Sequence, residues 1–128
     1  KGLIFDPTLF LCIENKMDWA IRFVKRANQI GVKICAGTDY INDLNRPFPF
    51  IFDELDLYVE KCDFYPMEAI FTVTKVAAEA LGICNKVGTV EVGKQADLLI
   101  LSGNPFDDIK ELRKIKVVIK RGIEINVD

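Results

Sequence analysis

An amphipathic repeat set between two short apolar runs constrains this chain more than any other feature. Residues 2–5 (GLIF) are apolar and stop at Asp6-Pro7; residues 32–36 (VKICA) form a second such run. Between them Met17, Ala20, Ile21, Val24 and Ala27 recur at helical spacing. Asn15 is placed to cap that helix, Asp18 puts an acid in its first turn, and Gly31 stands where it should close. Strand, helix, strand reads as a βαβ unit, with the strands parallel and the crossover right-handed. In such units chemistry sits at the carboxyl ends of the strands, where loops vary over a fixed sheet. The second run ends in Ala36-Gly37-Thr38-Asp39, which makes Asp39 the first candidate for a functional residue. A loop aspartate closing its own turn would look the same locally.

The remaining elements follow from the same signals. Residues 38–50 hold Asn42, Asn45, Pro47 and Pro49 and read as a long functional loop. Phe48, Phe50 and Phe52 are expected to pack it onto the core. Ile51, Leu55, Tyr58, Val59 and Cys62 mark a helix. Pro66 fits the first position of another, whose apolar face runs without a break from Met67 through Thr74 to Leu81 before Gly82. After Asn85 the character turns to β. Residues 87–101 predict an antiparallel hairpin about Gly93-Lys94, with Leu98 and Ile100 buried. Asn104-Pro105 reads as a turn, residues 107–112 as one or two helical turns, and residues 115–127 as a hairpin about Arg121-Gly122. Asp97, inside an apolar strand, needs a backbone or cationic partner and is read as structural. The match of residues 88–94 to G-x-x-x-x-G-K fails as a phosphate loop, because Gln95 stands where a Ser or Thr must be.

Composition narrows the functional classes. At 128 residues and 28% charged, the chain has room for a real core and the balance of a globular domain. A net charge of −2 gives no electrostatic case for nucleic acid or an anionic membrane. No apolar run reaches the roughly 18 residues of a membrane span. Cys12, Cys35, Cys62 and Cys84 are far apart and lie in or beside apolar segments, so they read as reduced thiols of a cytoplasmic protein. With no histidine, a self-contained His-based mechanism is excluded. Lys1 in place of an initiator Met reads as a processed chain or a piece of a longer one.

A set of motifs then carries a resemblance. A-G-T-D at 36–39, D-E-L at 53–55, P-M-E-A-I at 66–70, A-A-E-A-L-G at 77–82, V-G-T-V-E-V-G-K-Q-A-D-L-L-I-L at 87–101 and G-N-P-F-D-D-I at 103–109 follow in order. Together they resemble the C-terminal third of metal-dependent amidohydrolases, closest to the imidazolonepropionase and Xaa-Pro dipeptidase-like branch. The run at 88–101 is the specific part.

The resemblance implies an α/β fold: the C-terminal part of a TIM (β/α)8 barrel over residues 1–85, followed by a small antiparallel β-sandwich unit over residues 86–128. Residues 2–5 would be the seventh barrel strand and 32–36 the eighth. It also implies C–N bond hydrolysis of an amide, cyclic amide or dipeptide. A divalent metal, zinc by first expectation, would be held in the full-length parent and none in this fragment alone. Asp39 would be both metal ligand and catalytic residue, taking a proton from the attacking water and passing it to the leaving nitrogen. Histidine ligands would come from upstream of Lys1, so the fragment alone is expected to be inactive. The implied partners are a small-molecule substrate, the remainder of the barrel and further copies of the chain. Two departures stand out: residues 40–50 contain no histidine, and Tyr65 replaces the usual Ser or Thr before Pro66. An interaction module or an inactive homologue would share the same motifs.

Overall fold

Two β elements, one parallel and one antiparallel, are held by a middle layer of helices in the computed structural model. It describes residues 2–10, 18–39 and 51–126. Strand β1 (Ile4–Phe5) pairs in parallel with β2 (Lys33–Ile34), with Ile4 opposite Lys33 and Phe5 opposite Ile34. The Cys35 N–H, donating to Phe5 O at 2.9 Å, extends the ladder one step toward Asp39. Both strands are shorter than the apolar runs that announced them.

Helix α1 (Asp18–Gln29) joins them and buries Ala20, Val24 and Ala27. Its end is dictated by Gly31 at φ +75°. The Gly31 N–H donates to Asn28 O at 3.0 Å, and the Val32 N–H to Ala27 O at 3.0 Å. This is the paired closure that a glycine past the last turn permits. Phe5 meets Phe23 edge-on at 5.4 Å, and Ile34 is buried in the core shared with this helix. Phe5 and Ile34 therefore face the helices. By alternation Ile4, Asp6, Lys33 and Cys35 face the other way, and these four line an open cavity of about 710 Å³. The proposed cap Asn15 lies outside the described residues, as do Asn42, Asn45, Phe48, Phe50 and Cys12.

Helix α2 (Ile51–Lys61) carries Leu55 and Tyr58 into the core, where Tyr58 stacks on Phe64 at 4.9 Å. Helix α3 (Pro66–Val73) starts at Pro66 as expected. Tyr65 lacks a capping hydroxyl in reach, but its own N–H donates to Glu68 Oε2 at 2.9 Å, so half of a capping box survives.

The continuous helix expected through Leu81 is broken at Thr74, whose φ of −119° and ψ of −87° are not helical, and α4 (Lys75–Ala80) follows. The cause lies across the fold. The Thr72 carbonyl accepts the Ala36 N–H at 3.2 Å and ties this last turn to the end of β2. The Thr72 and Thr74 hydroxyls bond back to Ala69 O and Ile70 O at 2.6 and 2.7 Å, a pattern that bends helices. Gly88 then packs into the break. A Cβ there would lie 2.6 Å from Ala78 Cβ and 3.0 Å from Thr74 O, and its φ is +96°.

The hairpin expected over residues 87–101 does not form. Strand β3 (Leu98–Leu101) pairs antiparallel with β4 (Ile115–Lys120), which pairs antiparallel with β5 (Ile123–Ile125). Residues 87–92 run as turns and open chain, with Val90 and Val92 fully exposed. Alternation identified β3 but not its partner. Of the two residues expected to be buried, Leu98 is half-buried and Ile100 is 44% exposed. The turn at Gly93-Lys94 is real, with the Lys94 N–H on Glu91 O at 3.2 Å. Arg121 and Gly122, at φ +54° and +78°, make the β4–β5 turn.

The antiparallel sheet has three strands among the described residues, and no closed barrel is present. The structure thus gives an α/β fold with a small antiparallel sheet; the (β/α)8 barrel stays an implication of the resemblance. A 3-10 turn (Ile109–Arg113) links sheet and helices by burying Ile109 and Leu112 against α2. No helix among the described residues is long and apolar enough to cross a membrane.

Candidate functional site

The site grows from the ends of two strands. Beyond β2 the backbone is pinned twice, by Cys35 N–H to Phe5 O and by Ala36 N–H to Thr72 O. The chain then reaches Asp39, exposed and with φ at +44°. Aspartate tolerates this left-handed conformation better than most side chains, and such residues cluster at functional sites. Among the described residues the Asp39 carboxylate has no hydrogen bond or ion pair. The residues that would supply a turn donor, 40–50, lie outside the described residues.

A second carboxylate stands at the end of the neighbouring strand. Asp6 follows β1 directly and lies against Gly37: a Cβ on Gly37 would fall 2.8 Å from Asp6 Oδ1 and 2.9 Å from its Cγ. A side chain at position 37 would therefore require the Asp6 carboxylate to move. Reading Asp6-Pro7 only as a strand stop misses this. The available signal was an acid at the end of one parallel strand and a glycine at the end of the next.

Behind these two, Glu54 is completely buried on α2. Its Oε1 accepts the Leu9 N–H at 2.8 Å and its Oε2 the Phe10 N–H at 2.5 Å. Burial pushes its carboxyl above the usual range, and the nearby Asp6 charge adds to this, while the two backbone donors pull it back. Tyr58, one turn on, is buried beside it, with its hydroxyl close to the Glu54 carboxylate but short of a well-formed hydrogen bond. Burial first, and the Glu54 charge second, push that phenol upward, so it stays protonated. Cys62 is pushed up to about 12, chiefly by burial. Cys35 is raised by burial and by Asp6. Neither thiol is a thiolate at neutral pH, so neither is a ready nucleophile. Glu54 also went unread in the sequence. Its signal is a carboxylate at the apolar spacing of Ile51, Leu55 and Tyr58.

A divalent metal is the group the resemblance implies. As a donor, Asp39 fits one: an exposed hard carboxylate without a cationic partner among the described residues suits zinc, manganese or magnesium. Among the described residues, however, no three His, Cys, Asp or Glu side chains come close enough to hold an ion. A carboxylate at position 39 offers one donor group, not a site.

Asp97 behaves differently. It accepts from Lys120 Nζ at 2.6 Å, Arg121 N at 2.8 Å and Gln95 Nε2 at 2.8 Å. The Lys120 contact first, and the Arg121 N–H second, lower its carboxyl to about 2. It locks the start of β3 to the β4–β5 turn, as its place in an apolar strand required. Lys94 of the phosphate-loop look-alike donates to the Thr89 hydroxyl within its own turn.

With this geometry in hand, the likeness to known proteins can be placed. A model of the amidohydrolase family matches residues 12–125. The imidazolonepropionase of Thermoplasma acidophilum is 35% identical over 95 residues, covering 72% of this chain and 23% of that protein. A Xaa-Pro dipeptidase crystallised with methionine in its active site superposes with a TM-score of 0.77 at 29% identity, over 94% of this chain and 33% of that one. A putative prolidase from Bifidobacterium longum gives 0.72 at 35% identity, over 83% and 26%. The chain spans about a quarter to a third of the length of these relatives.

Proposed function

That this chain belongs to the amidohydrolase family is the premise from which we propose its function: metal-dependent hydrolysis of a C–N bond in an amide, cyclic amide or dipeptide, performed by the full-length protein. The observation that carries the reading is the exposed Asp39 carboxylate, without a hydrogen bond or ion pair among the described residues, three residues beyond a doubly pinned parallel strand. When bound, a divalent metal supplies Lewis-acid chemistry and brings a water to hydroxide near neutral pH.

This chain's share of the mechanism belongs to Asp39. One carboxylate oxygen fits as a metal ligand; the other is free to accept the proton of the attacking water and return it to the leaving nitrogen. The pins on Cys35 and Ala36 fix the backbone that leads to that carboxylate, which favours a preset approach. Asp6 and Gly37 form the neighbouring wall, and the substrate lies over the carboxyl ends of β1 and β2. The loop of residues 38–50 is proposed to shape the substrate's side-chain pocket. The named relatives include an imidazolonepropionase and an Xaa-Pro dipeptidase, so cyclic amides and dipeptides head the substrate list.

The test is turnover of the full-length, metal-loaded protein on a panel of dipeptides, N-acyl amides and cyclic amides, before and after chelation. Hydrolysis of at least one class, abolished by chelator and restored by metal, is expected. Binding without hydrolysis across the panel would overturn the reading in favour of an inactive homologue.

A further inference from the structure

We propose that Glu54 is a positioning residue of this site. From inside helix α2 it clamps the loop after β1 in a strained conformation, and so fixes where Asp6 stands. The clamp is the pair of bonds from the Leu9 and Phe10 N–H groups to the two Glu54 oxygens, at 2.8 and 2.5 Å. Leu9 and Phe10 are helical, and their N–H groups belong to a first turn that has no intrahelical acceptors. A local side chain at the preceding position ordinarily meets such donors from extended backbone. Here that position is Thr8, at φ +43°, which is not the conformation of a capping residue. The donors are met instead from a distant helix.

Two costs are borne at this point. A carboxylate is buried completely, which is unfavourable unless its oxygens are satisfied. A β-branched residue is held at positive φ, which persists only where the surroundings over-determine it. The two costs are linked, because the groups satisfying Glu54 are the two N–H groups next to Thr8. An apolar residue at position 54 would pack as well in a core of Leu9, Leu55 and Tyr58, but would leave both donors unmet. Glutamine offers one acceptor oxygen and turns an amide against the second N–H. The same loop carries Asp6, whose carboxylate lies where a Gly37 side chain would be. The clamp therefore acts on the site through Asp6 and the β1 end, without touching substrate.

The kinetic arm of the test rests on the proposed function; the exchange arm does not. In the full-length, metal-loaded protein at a temperature where it is fully folded, Glu54→Gln should lower kcat by about ten- to a hundredfold, the range expected for ångström-scale misplacement. KM should change by less than about threefold. Adding Thr8→Gly, which takes positive φ without strain, should recover about fivefold or more of the lost kcat. A Glu54→Gln protein that melts lower but keeps its kcat would overturn the proposal, as would a failure of Thr8→Gly to recover any. Should Glu54→Gln not fold, amide hydrogen exchange on the unmodified protein decides. The Leu9 and Phe10 amides are expected to exchange with the core helices; exchange at exposed-loop rates overturns the clamp. If the unmodified protein hydrolyses no C–N bond, the functional reading falls, and exchange still decides this one.

Discussion

Asp39 and Asp97 are the same side chain in opposite surroundings, one beyond the parallel pair and one before the antiparallel sheet. Asp97 opens the antiparallel sheet, takes three donors and is held at a pKa of about 2. Asp39 ends the parallel pair, takes no donor among the described residues, and sits in a conformation most residues avoid. A saturated carboxylate cannot accept a proton near neutral pH or offer a lone pair to an ion. An unsaturated one contributes little to folding. The proposed function reads the two aspartates as a division between a region arranged for stability and one arranged for chemistry, and nearby residues differ in the same way. Gly88 is a glycine because helix α4 crowds it at positive φ; Gly37 lies against a carboxylate that would have to move for a side chain.

The largest expected effect on the structural side is at Gly88. Gly88→Ala adds a Cβ into Ala78 and the Thr74 carbonyl at positive φ, and should cost about 2–4 kcal/mol of stability in a denaturant titration. If the cost is under about 0.5 kcal/mol, the size of an ordinary surface change, α4 is not packed on this turn and the seam between the regions is drawn wrongly.

Arg113 comes next. It pairs with Asp53 at 2.8 Å and Asp56 at 2.9 Å and lies over the Phe52 ring at 5.5 Å, joining the 3-10 turn to α2. The group is part-exposed, so Arg113→Met should cost only about 1 kcal/mol, falling as salt is raised. A salt-independent loss would mean that packing rather than charge holds the seam.

The smallest effect is the pH dependence of Asp97. Its folded pKa is depressed below the unfolded value, so its contribution is present in full above the unfolded pKa, near 3.8, and is lost as pH falls through about 2. The stability difference between the unmodified protein and Asp97→Asn should therefore be flat from pH 7 to about 5 and shrink between about 4 and 2. A difference that grows on acidification would contradict the assignment of the Lys120 contact.

Much of this division was legible in the residues. Gly31 announced the end of α1, Arg121-Gly122 the last hairpin, and an acid within Ala96-Asp97-Leu98 the need for a partner. Each is a local rule, settled within a few residues of chain. The misreadings involve distant partners. The apolar face from Met67 to Leu81 is continuous, and nothing in it reveals that the Thr72 carbonyl is taken by Ala36. Alternation at 98–101 marks a strand but cannot say whether residues 87–92 or 115–120 lie beside it. At the proposed site, Asp39 stood out as a candidate because a strand and a glycine precede it. Asp6 and Glu54 did not, because each draws its meaning from a residue on another element, Gly37 in one case and the Leu9 turn in the other.

The most direct test crosses the two aspartates in the full-length protein at saturating metal, reading turnover and melting temperature on Asp39→Asn and Asp97→Asn together. Asp39→Asn keeps the size and one oxygen but removes the base. Its rate should fall by about a hundred- to ten-thousandfold, the range of a lost general base, with melting moved by no more than a few degrees. Asp97→Asn should do the reverse, melting lower while keeping its rate per folded molecule to within about threefold, well short of a lost general base. An Asp39→Asn protein whose rate stays within about threefold of the parent would contradict the division, and would leave Asp39 as a turn residue.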